Sequence, residues 1–148
     1  MKNYILIFSA LFCTSAYSQI TMIEPLDFGT IVVVKNEPGS SITVQKNGSS
    51  SGVNVHIIKR GAPAELLFEN FGARVQIYIT DSGNYQKLSR INGGTQFTLD
   101  SLIYTNSITT NAYGMAVLAI GGKLVLSGDG ESYLDDRYST TIDITISY

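Results

Sequence analysis

Tryptophan is absent from this 148-residue chain, histidine and cysteine occur once each, and proline occurs three times. Each shortage removes a class of function. General acid–base or nucleophilic catalysis near neutral pH calls for a histidine, an activated thiol or a metal, and here the single histidine is His56, within Asn54-Val55-His56-Ile57-Ile58. Strand alternation places His56 on the face of Asn54 and Ile58, opposite Val53, Val55 and Ile57, so a solvent-facing strand residue is expected rather than a base. A zinc site built on one histidine would need several carboxylates, an uncommon donor set. Paired glycosidase carboxylates remain arithmetically available, but there is no tryptophan to line a sugar pocket. The expectation is a protein that is not an enzyme and holds no cofactor.

The one cysteine, Cys13, falls in an N-terminal segment with the pattern of a secretory leader: Lys2 as the positive start, an apolar run from Tyr4 to Phe12, and small residues at Ala16 and Ser18. Residues 1–18 are therefore expected to be a cleaved signal peptide, with export to the cell surface or beyond. The apolar run is well short of the roughly 20 residues that cross a bilayer, and Phe12 stands where a lipoprotein needs a small residue. Residues 19–148 would form one domain without disulfides. Without Lys2, nine basic residues face twelve acidic ones, a formal charge of −3. That balance offers no footprint for nucleic acid or an anionic membrane.

Amphipathic helical periodicity is also missing. Short β-branched runs recur instead, over Ile20–Glu24, Phe28–Lys35, Ser41–Gln45, Val53–Lys59, Ala64–Glu69, Arg74–Asp81, Thr95–Tyr104, Met115–Ile120, Lys123–Ser127 and Tyr138–Tyr148. Turn-forming stretches rich in glycine, asparagine and serine separate them. This spacing predicts an all-β sandwich or barrel with almost no helix. Lys46–Gly52 reads as a polar, flexible tip, and its Asn47-Gly48-Ser49 as an accidental match to a glycosylation sequon. Gly121-Gly122 reads as the turn of a tight hairpin; a phosphate cradle is the functional alternative, disfavoured because no helix follows to bring a dipole to the anion. The closing run Ile142, Ile144, Ile146, Tyr148 alternates with Asp143, Thr145 and Ser147, as a strand with one buried face does. Ile144→Asp is accordingly expected to abolish soluble folding.

Two features could bind a ligand. Asp129, Glu131, Asp135 and Asp136 crowd into eight residues, a set of oxygens that a calcium ion could use, although the spacing matches no EF-hand and a solvated loop is the simpler reading. Among the seven tyrosines after residue 18, Tyr85 and Tyr113 fall in loops and are the candidates for ligand contact.

The order of several short motifs carries a resemblance over residues 19–148. Leu26-Asp27-Phe28-Gly29, the Pro63-Ala64 step, Gln76–Thr80, Ile120–Leu126 and the closing Ile142–Tyr148 resemble the bacterial secreted family called domain of unknown function 4402, which has no assigned activity. More broadly the chain is similar to spore-coat-U and fimbrial subunits. That similarity implies an immunoglobulin-like antiparallel β-sandwich working as a surface or fimbria-like structural subunit. The implied partners are further copies or related subunits and a periplasmic chaperone, with Ile20, Met22, Ile142, Ile144, Ile146 and Tyr148 as core or assembly positions. Phe28, Gly29, Pro63, Ala64, Gly121 and Gly122 are the architectural residues. The chain departs from disulfide-bearing pilins, and its arm before Leu26 is only Gln19–Pro25. The alternative is a monomeric extracellular module that binds a glycan or another ligand, with or without calcium.

Overall fold

The computed structural model describes residues 17–148, so Cys13 and nearly all of the expected leader lie outside the described residues. The described chain is all-β, every strand pairing is antiparallel, no helix occurs, and the largest sheet curls into a half-barrel. Its spine is the longest strand, β11 (Ala116–Leu126). One edge of β11 pairs first with β6 (Ala64–Glu69) and then with β3 (Ser41–Val44), while the other edge pairs with β9 (Thr95–Ile103). The sheet continues from β6 to β1 (Gln19–Glu24), from β3 to β4 (Ser50–Val53), and from β9 through β8 (Gln86–Arg90) to β12 (Tyr138–Ser139).

Two smaller sheets cover this one. β10 (Ser107–Thr109), β7 (Gln76–Asp81) and β13 (Ile144–Ser147) form the first, and β2 (Thr30–Val33) with β5 (Val55–Lys59) the second. The three-stranded sheet brings Ile77 and Ile79 onto Leu66, Phe68, Leu118 and Ile120. The two-stranded ribbon brings Ile31, Val33, Val55 and Ile57 onto Ile42, Phe97, Leu99 and Leu124. Leu102 packs against both clusters. Period-two alternation on β6, β7 and β9 produces these buried faces, and the Pro63-Ala64 step opens β6 as expected.

The structure corrects several expectations. Gly121-Gly122 is the middle of β11 and not a hairpin turn. A Cβ at Gly121 would collide with the carbonyl oxygen of Val44, and one at Gly122 would lie 3.0 Å from Phe28 and 3.1 Å from Leu26. These glycines admit close neighbours at the point where β11 exchanges β6 for β3. The expected strand Val53–Lys59 is broken at Asn54, whose φ of 59° lies in the left-handed region. The expected tip Lys46–Gly52 is half strand, because Ser50–Val53 pairs with β3. Strands β8 and β10, polar and short, were not expected at all. The expected terminal strand Tyr138–Tyr148 is two strands, β12 and β13, in different sheets.

Candidate functional site: an apolar groove between two open strand edges

The terminal strands lie at the free edges of their sheets. Among the described residues β1 pairs only with β6, in a register that sets Ile20 opposite Phe68 and Met22 opposite Leu66. β13 pairs only with β7, setting Ile144 opposite Asp81 and Ile146 opposite Ile79. Between them runs a groove of about 260 Å³ lined by Ile20, Met22, Leu66, Phe68, Ile142, Ile144 and Ile146. All seven side chains are apolar, so the groove offers dispersion and burial but no polar chemistry. Ser18 Oγ and Tyr148 Oη come within 3.3 Å of each other, and the Tyr148 ring stands edge-on to Phe71 at 4.9 Å. Met22, Leu66, Ile142 and Ile144 also line a wider cleft of about 1560 Å³, so the two spaces adjoin. That cleft runs between the chain around β2 and the chain before β13.

The assembly positions named from the sequence thus come together, but not as a closed core. Ile142, Ile144 and Ile146 are half-buried, Ile20 is 41% and Met22 62% exposed, and Tyr148 is 69% exposed. The alternation was legible, whereas the absence of a strand across the groove was not. With Ile144 still partly in water, an aspartate there is no longer expected to abolish folding.

The acidic stretch does not converge on one point. Asp129 Oδ1 accepts from Asn36 Nδ2 at 2.6 Å and from the Glu131 amide at 2.9 Å. These bonds hold its carboxyl below the usual range, the Glu131 amide chiefly and the Ser127 hydroxyl next. Asp136 faces another loop, accepting from the Asn92 amide and side chain at 3.3 and 3.2 Å, and its carboxyl is lowered chiefly by the Arg137 amide. Among the described residues no three histidine, cysteine or acidic side chains are grouped as a metal site requires. Tyr85 and Tyr113 are 77% and 85% exposed. They sit in the turns beyond opposite ends of β7, whose six residues span roughly 17 Å. His56 and Ile58 face solvent, while Asn54 turns inward to donate to Ser40 Oγ at 3.0 Å.

Sequence reasoning missed a polar latch at the other end of the molecule. Buried Asn36 donates to Ser127 Oγ, Asp129 Oδ1 and the Glu131 carbonyl, and accepts from the Gly128 amide at 2.8 Å. Its own carbonyl accepts from the Gly130 amide at 2.9 Å. Nearby, the Tyr133 hydroxyl donates to the Gln96 carbonyl at 2.7 Å and the Tyr138 hydroxyl to Gln96 Oε1 at 2.6 Å, and burial pushes the Tyr138 hydroxyl up. The available signal was an asparagine followed by Glu37-Pro38-Gly39, a turn that must satisfy its main chain locally.

No helix among the described residues is long and apolar enough to cross a membrane. No curated protein and no solved structure matches the chain. A family model described as "Domain of unknown function (DUF4402)" matches residues 19–148, the span over which the sequence motifs carried the resemblance. The chain therefore belongs to the DUF4402 family.

Proposed function

We propose that this protein is an exported, non-enzymatic structural subunit of a bacterial surface, fimbria-like in organisation, that assembles through its terminal β-strands. In this reading its antiparallel sheets form an immunoglobulin-like sandwich with one seam left for a partner. The observation that carries the reading is the apolar groove between the unpaired edges of β1 and β13. An occupant has two things to satisfy: half-exposed isoleucines and two rows of main-chain donors and acceptors. A lipid chain meets only the first. An extended polypeptide with alternating apolar side chains meets both, as in other cases of strand addition.

Size-exclusion chromatography with light scattering on residues 19–148, beside a chain starting at Leu26, tests this reading. Large species that negative-stain microscopy resolves as filaments, and that vanish with the Gln19–Pro25 arm, are the expected result. Monomers from both chains, with and without co-expressed periplasmic chaperones, would overturn it. Against the glycan- or calcium-binding alternative, Tyr85 and Tyr113 are apart and the side chains of Asp129 and Asp136 serve separate loops, while Glu131, Asp135 and Asp136 line the wider cleft.

A further inference from the structure

We infer that β1 is an exchangeable arm, and that its partner is a second copy of this chain, on whose β6 it repeats the pairing it makes on its own. The inference rests on the assembly reading above and names the segment, the register and the hinge. All six residues of β1 are exposed, and no other strand of that length or longer has this pattern. Apolar side chains are uncovered on both of its faces. Ile20 and Met22 point toward the groove, while Ile23 is 53% exposed on the outer face. There Leu67 is flanked by Thr21 on one side and Val117 on the other, and Val117 is itself 56% exposed. A single strand edge holds the arm, and its ladder shifts register between Met22 and Glu24.

The chain beyond the arm is firmly held. Asp27 and Ala62 exchange two main-chain hydrogen bonds of 2.9 and 2.8 Å. The Gly29 amide donates to Asp27 Oδ1 at 2.8 Å, and Gly29, at a φ of 80°, lies so close to the Lys59 carbonyl that no side chain fits. Between the arm, held along one edge, and this pivot stand only Pro25 and Leu26. A short hinge carrying a proline is the arrangement in which an element swings out whole rather than fraying.

Self-complementarity identifies the partner. The contacts of Ile20 with the Phe68 position and of Met22 with the Leu66 position already exist within one chain, so a second copy supplies the same surface in the same register. Exchange creates no new type of contact at β6. What it adds is contact between the two copies around the hinge, where Pro25 and Leu26 cross from one copy to the other. Because the arm of one copy need not return to the copy that receives it, exchange can propagate head to tail.

Register-specific cross-linking tests this on the full chain carrying Cys13→Ser. Thr21 and Leu67 are cross-strand partners on the outer face, so Thr21→Cys and Leu67→Cys in one chain should close an internal disulfide, which also reports correct folding. Mixing the two single variants and oxidising them should give a disulfide-linked heterodimer. Thr21→Cys mixed with Thr109→Cys, on the distant strand β10, should give none. A heterodimer yield no higher with Leu67→Cys than with Thr109→Cys overturns the exchange. The oxidised double variant, with its arm locked on its own β6, should lose the large species seen by light scattering. If the locked chain assembles as the parent does, exchange is wrong while strand-mediated assembly stands. If neither the parent nor any variant assembles or cross-links, both are wrong.

Discussion

The molecule has two seams where its sheets come apart, and they are finished in different ways. At the seam beside Asn36, polar side chains bridge the gap: one asparagine ties the turn before β3 to Ser127–Glu131, and Gln96 ties the chain to Tyr133 and Tyr138. At the seam between β1 and β13 the lining is apolar, and a Ser18–Tyr148 contact crosses beside it. Side-chain hydrogen bonds satisfy the polar groups at that end of the wider cleft within the chain. In the assembly proposed above, a gap walled by strand edges and isoleucines is the one that another strand fills. The same two-cluster core underlies both, so the difference lies in the rims.

The comparison can be broken most forcefully at the spine that the two halves share. Gly121→Val, which drives a side chain into the Val44 carbonyl, is expected to cost about 3 kcal/mol or more. Both halves should be lost in one transition, visible as coincident near- and far-ultraviolet melts of whatever soluble protein remains. Two separated transitions would show that β11 does not couple the clusters.

Releasing the polar latch beside Asn36 comes next. Asn36→Ala removes four side-chain hydrogen bonds and leaves the Gly128 amide without its partner. A loss of about 2 kcal/mol in denaturant unfolding is expected, with assembly retained if the molecule still folds. Unchanged stability would mean that the latch is ornamental and that the contrast between the seams carries no energetic weight.

At the open seam the effect on stability should be smaller and the effect on assembly larger. Ile144→Asp places a carboxylate on a half-buried wall of the groove, where access to water limits the cost to about 1 kcal/mol. The variant should stay folded, by circular dichroism, and stay monomeric, by light scattering. A folded variant that still assembles would remove the groove from the mechanism.

The smallest effect is a dependence on pH at the rim of the open half. Burial, reinforced by the hydrogen bond of 2.6 Å to Asp81 and by the charge of that carboxylate, pushes the Tyr104 hydroxyl up to about 12. Folding therefore favours the neutral phenol. The associated stability is complete below the ordinary tyrosine value near 10 and is lost as pH rises from there through about 12. Tyr104→Phe should flatten that alkaline limb of the melting temperature, and an unchanged limb would place the titration elsewhere.

How much of this was legible in the sequence follows from which forces are local. Alternation marked β6 and β7 because each has one buried face, and the Pro63-Ala64 step located the start of β6 within a residue. The glycine pair in β11 misled because a turn and a close approach call for the same residue type, and only the position of Val44 tells them apart. β8 was invisible because Gln86-Lys87-Leu88-Ser89-Arg90 buries Leu88 alone. The groove was half legible. Its isoleucines are periodic, but whether a periodic face is covered depends on strands far away in the chain.

The long strand β11 also sets a schedule. Its partners β3, β6 and β9 all precede it, and none of them has its central ladder until residues 116–126 exist. β11 is complete only when more than four-fifths of the chain has been made. Contacts so distant in sequence form slowly. The ladders β1–β6, β3–β4 and β8–β9 need no residue after 103, so β11 is the strand that joins separate pieces, and the core closes only when it arrives.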